Sequence, residues 1–201
     1  MLRPSSPQSR FLFRALLCFA GFLLTWWFVL RPPLLAWTRF ATDFALNAVP
    51  GVPLKTGVTI SPDGIWVVQA PIRRAGRWRN VRVESDNRLP TQLTVGLPLL
   101  WAILAAGPRR RRGEWRTWAA GSAILLAVPP AGLLVYAAHV VQIYLFPAAP
   151  GVVRGGMAAA DYFTSTAAPY IIPVVLAVAL QPELRRAVLE EVDSPVPDPK
   201  R

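Results

Sequence analysis

The chain has 201 residues, of which 53% are hydrophobic and 16% charged, with a formal net charge of +11. This balance, with the apolar residues gathered into long blocks, excludes an ordinary soluble domain. A charge this basic raises nucleic acid as a partner, but much of it flanks apolar blocks and no nucleic-acid-binding motif is present, so no nucleic acid is expected.

Residues 1–10, MLRPSSPQSR, read as a short basic cytoplasmic N-terminus. The apolar run over 11–31 is interrupted only by Arg14, whose long stem can carry its charge back to the interface. It passes into RPPLLAW without a small-residue cleavage site, so it reads as an uncleaved first span.

Residues 32–90 become more polar and are punctuated by Pro and Gly, as suits an extracytoplasmic module. Leu35, Phe40, Phe44 and Leu46 are spaced for an amphipathic helix on the outer membrane surface. Val58 to Ile60, the SPDG turn at Ser61 to Gly64, and the following IWVV form a hairpin signal. A further strand is expected over Trp78 to Glu84, where Val81 and Val83 alternate with Arg82 and Glu84, after a turn at Ala75-Gly76. The expected product is a small antiparallel sheet of about three strands, marginal on its own.

The second span, 91–107, ends in PRRRRGEWR, and this arginine-rich loop over 108–116 fixes its side as cytoplasmic. The third span, 117–145, carries Pro129-Pro130 near its middle and should kink there. An outer loop over 146–163 holds Arg154, Asp161 and three glycines, the fourth span covers 164–181, and 182–201 reads as a cytoplasmic tail ending in disorder. The fold class is thus a mainly α membrane protein of four transmembrane helices, with a small extracytoplasmic β-containing module between helices 1 and 2. An even number of spans puts both termini inside and residues 32–90 in the periplasm.

Residues that could carry chemistry are few. Cys18 is the only cysteine and His139 the only histidine. His139 lies roughly 30 Å along its helix from Thr117, near the outer face, whereas Cys18 is nearer the inner one, so they do not form a catalytic pair. No catalytic set, metal site or cofactor is expected, and the chain reads as a non-enzyme. His139 with Tyr136 and Gln142 could line a polar cleft, against the plainer account of an interfacial histidine bonded to water or head groups. The outer module concentrates Arg73, Arg74, Arg77, Arg79, Arg82 and Arg88 around Trp66 and Trp78. That cluster is either a face turned to water and lipid head groups or a binding surface for an acidic partner segment, and a free strand edge could capture an extended peptide.

The run RFLFRALLCFAGFLLTWWFVLRPPLLAW, the module segment TGVTISPDGIWVV, and the spans TQLTVGLPLLWAILAA and YIIPVVLAVAL together resemble the exosortase H-associated membrane proteins of Gram-negative bacteria. The resemblance implies a non-catalytic inner-membrane accessory or assembly subunit of an exosortase-type protein-sorting system. The catalytic Cys, Arg and His would then belong to a multi-pass exosortase-like partner, and no family site residues carry over. A small transporter or lipid-handling protein, using the Pro-kinked third helix and His139, is the alternative.

Overall fold

The computed structural model describes residues 7–48, 57–74, 76–107, 114–182 and 184. The arginine run at 109–112, the first six residues and the tail beyond 184 lie outside them, and with them most of the charges on which the expected orientation rests.

Among the described residues there are four helical stretches long and apolar enough to cross a membrane: Ser9–Asn47, Arg88–Ala106, Trp115–Leu145 and Gly151–Leu180. The first is longer than the sequence implies. Helix α1 (Pro7–Thr25) continues through a π-turn at Trp26–Leu30 into α2 (Arg31–Asn47). The helix does not end at the boundary expected between the span at 11–31 and the module at 32–90, and a π-turn directly precedes the two prolines there. Arg31 N–H donates to the Trp26 carbonyl five residues back, a wider turn than the α-helix makes. A wider turn makes room for the proline rings, which would otherwise press on the carbonyls four residues earlier.

The same device recurs in the fourth span. Following α3 (Arg88–Leu93), α4 (Gly96–Ala106) and α5 (Glu114–Leu145), helix α6 (Gly151–Tyr162) runs through a π-turn at Phe163–Ala167 into α7 (Ala168–Leu180). Pro169 follows that turn, as Pro32 follows the first. The expected outer loop therefore shrinks to residues 146–150. Glycines 151, 155 and 156 are helical, and Met157 to Ala160 supply the helix-favouring residues that offset them.

The amphipathic segment also differs from its expectation. Leu35 and Leu46 do pack inward, but the fully buried positions between them are Thr38 and Thr42. Thr38 is accommodated because its hydroxyl donates to the Leu34 carbonyl at 2.8 Å. Phe40 and Phe44 instead point outward, stacked on each other, with Trp37 tilted against Phe40.

The sheet is an antiparallel meander in the order β1 (Gly57–Ile60), β2 (Trp66–Arg74), β3 (Arg77–Ser85). Ser61 N–H donates to the Ile65 carbonyl at 2.9 Å across the first hairpin, and Gly64 takes the positive φ of 77° that its turn needs. The second hairpin closes with Arg74 opposite Arg77 and Gly76 at φ 75°. One face of the sheet, with Val58, Trp66, Val68 and Val83, packs against Leu133 and Ala137 of α5 and Leu46 of α2.

The bundle centres on α4, which touches α1, α5 and α7. More than half of the second span's apolar window, 56%, is buried within the protein, against 6% for the first. Phe22, Trp101 and Trp118 join α1, α4 and α5 through ring contacts 5.8 to 6.2 Å apart, and Trp101 Nε1 donates to Ser122 Oγ at 2.9 Å. Close approach rests on glycine. A Cβ on Gly132 would lie 2.7 Å from Leu93, and one on Gly121 the same distance from Leu100.

Candidate functional site

The strand register divides the arginine cluster. Side chains alternate across a strand, so Trp66, Val68, Ala70 and Ile72 share the packed face of β2 with Arg77, Arg79, Val81 and Val83 of β3. Arg73 pairs with Trp78, and Gln69 with Arg82, on the opposite, outward face. Of the residues named above, Arg77 and Arg79 thus fall on one side of the hairpin and Arg73, Trp78 and Arg82 on the other, while the side chain of Arg74 lies outside the described set.

Trp66 belongs to neither. It is 1% exposed, packed among Val68, Val83 and Leu133, and its Nε1 donates to Asn87 Oδ1 at 3.3 Å. It anchors the sheet and presents nothing to a partner. Trp78 is half-buried on the outward face, and Arg73, Arg77, Arg79 and Arg82 are exposed. Arg82 meets Glu84 at 3.8 Å, with both side chains more than 60% exposed, so this pair contributes little to stability.

The hairpin also has a direction. Ser85 leads through Asp86 and Asn87 into α3, where the second span begins, and Asp86 Oδ1 starts that helix by accepting the Arg88 amide at 3.0 Å. From Ser85 the strand climbs beside α5, with Val81 packed near Val140 and Val141, and reaches Arg77 about 25 Å along, at about 3.3 Å per residue. The tip arginines therefore stand at the end of the sheet remote from the span, where an aqueous partner can reach them.

His139 is drawn into a different site. Its Nδ1 lies 2.8 Å from Asp161 Oδ2, bridging α5 and α6 with side chains 17% and 18% exposed. Tyr136 does not join this pair, since its hydroxyl donates to the Glu84 carbonyl at 3.0 Å and ties α5 to β3. Gln142, one turn beyond His139, is buried, and neither of its amide atoms has a partner among the described residues. Asp161 Oδ1 likewise has none, while Ser165 Oγ donates to the Asp161 carbonyl at 2.6 Å. The arrangement is a semi-enclosed polar seam where the third and fourth spans adjoin their connection at 146–150.

Sequence reasoning placed His139 but not Asp161, because residues 146–163 read as a loop. With the connection reduced to 146–150, position 139 lies 7 residues before it and position 161 lies 11 after it, about one helical turn apart in height, so spacing alone did not pair them. Among the described residues no three His, Cys, Asp or Glu side chains gather into a metal-binding group, and Cys18 is a half-buried free thiol on α1.

No curated protein and no solved structure matches the chain. The model of the exosortase H-associated membrane proteins does match it, over residues 5–184, which takes in all four spans and the sheet. With its four apolar helices and its three-stranded module between the first two, this chain is a multi-pass membrane protein and belongs to the exosortase H-associated family.

Proposed function

We propose that the chain is a non-catalytic accessory subunit of an exosortase-type sorting system, seated beside exosortase H in the inner membrane of a Gram-negative bacterium. Its termini lie in the cytoplasm and residues 32–90 in the periplasm. The single observation that carries this reading beyond the family's name is the first helix. Only 6% of its apolar window is buried within the protein, and Leu16, Leu17, Trp27 and Phe28 all face outward. Such a helix offers a long surface on which another multi-pass protein can pack by shape, as helices associate in bilayers.

The test is purification of the tagged chain from its native membrane in mild detergent, with mass spectrometry of what accompanies it. A multi-pass partner in near-stoichiometric amount, cross-linking from position 28, supports the reading. A folded, homogeneous protein recovered alone overturns it.

The His139–Asp161 seam favours a second reading, a small transporter or lipid-handling protein. A polar pair between two spans, beside a buried glutamine amide, suits a site for a polar solute or head group. This reading predicts that His139→Ala abolishes a measurable flux without lowering abundance.

A further inference from the structure

The two edges of the sheet are treated differently. At β1, Asp43 Oδ1 accepts the Val58 amide at 3.2 Å and Arg39 Nε donates to the Val58 carbonyl at 2.9 Å, so side chains of α2 occupy the place of a neighbouring strand. At β3 the end next to the span is closed, where the Glu84 carbonyl accepts the Tyr136 hydroxyl. Backbone direction alternates along an antiparallel strand, so the amides and carbonyls of Arg82 and Trp78 face the same open side. Among the described residues no strand lies beyond β3.

That open edge borders a groove. Val81 and Val83 of β3 form one wall, Val141 and Tyr144 of α5 the other, Tyr136 closes the lower end, and the space between is about 380 Å³. A strand edge facing the apolar side of a helix supplies both parts of peptide capture, namely backbone bonds for affinity and side-chain contacts for register. Arg82 on the outward face, and Arg77 and Arg79 further along the groove side, leave the surroundings net basic against the single carboxylate of Glu84, 3.8 Å from Arg82 at the end next to the span. Two copies of β3 laid edge to edge would set these arginines against one another, which disfavours self-pairing.

We propose that this groove takes an extended acidic segment of a partner protein as a fourth strand beside β3. Alternate apolar side chains of the segment fill the space between Val81 and Tyr144, and the intervening carboxylates face Arg82, with further acids beside Arg77 and Arg79 at the tip. The inference goes beyond the accessory role and holds whichever protein packs on the first helix.

The experiment uses the full chain in detergent micelles and a fluorescent decapeptide of alternating glutamate and valine, followed by anisotropy. Binding should weaken as salt rises, and the double substitution Arg79→Gln with Arg82→Gln should weaken it about tenfold. N-methylating the peptide amides at alternate positions should abolish binding for one set and spare it for the other, because only one set can bond to β3. Equal binding of both methylated sets, as for any polyanion on a basic surface, overturns the proposal. So does displacement of the peptide by vesicles of anionic lipid, a concentration-dependent dimer that the peptide fails to dissociate, or no binding at all. Failure to recover a bilayer partner would leave these outcomes unaltered.

Discussion

The indole N–H of Trp37 donates at 2.8 Å to the carbonyl oxygen of Leu126. In an unbroken helix that carbonyl would accept the amide of residue 130, but residue 130 is a proline inside α5 and has no hydrogen to give. A side chain from α2 thus completes the hydrogen bonding of α5, and does so in apolar surroundings where an unpaired carbonyl is costly.

This relationship predicts a rescue. Trp37→Phe keeps an aromatic ring but strands the Leu126 carbonyl, and should destabilise the protein by about 1 to 3 kcal/mol. Pro130→Ala restores the helical donor, so the double variant should lose less than Trp37→Phe alone. Thermal unfolding of the four proteins in one detergent measures the coupling, and strict additivity would refute the account.

A second proline leaves a similar mark between α4 and α7. Pro173 cannot donate to the Pro169 carbonyl, and that oxygen lies 2.9 Å from where a Cβ on Gly96 would stand. The intruding contact is with backbone, which cannot rotate aside. Gly96→Ala should therefore cost about 1 to 3 kcal/mol by overpacking, and more than Gly151→Ala, where nothing lies within 4 Å. Equal melting temperatures for these two variants would contradict the packing described.

The His139–Asp161 contact predicts an energetic coupling between α5 and α6. In a double-mutant cycle, His139→Ala and Asp161→Ala should couple by about 0.5 to 3 kcal/mol. His139→Ala should also increase hydrogen exchange in 151–162 more than in 96–106. An effect spread evenly over the bundle would mean that the pair does not hold these two helices together.

Topology gives a separate expectation. Reporter fusions after Asp86 should score as periplasmic and fusions after Gly113 as cytoplasmic, following the positive charges. The reverse pattern would invert the placement of the basic hairpin and remove the acidic periplasmic segment as its natural occupant.

Much of the architecture was legible from composition alone. The four spans follow from apolar runs, and the sheet from Val58 to Ile60, the SPDG turn and the Val81–Val83 alternation, all local patterns with a fixed period. What escaped was non-local or disguised. Thr38 looks polar, yet it lies with Thr42 in the buried stripe of α2, because its hydroxyl, bonded to its own helix, lets it pack much as a small apolar group does. The glycines of α6 look like a loop until Asp161 is seen to reach His139 across the helix pair. The arginines read as one cluster, and only the register between β2 and β3 separates them onto opposite faces.

Each π-turn holds one residue more than the α-helical turn it replaces, so the helices on either side are already in the phase that suits their neighbours. Deleting one residue from Trp26–Leu30 or Phe163–Ala167 would convert the wide turn to an ordinary one and leave both flanking faces where they are. A deletion elsewhere in the same helices would rotate everything beyond it by about 100°. The two long helices thus carry built-in slack for a single-residue loss, and the prolines that follow decide whether the shortened turn can close.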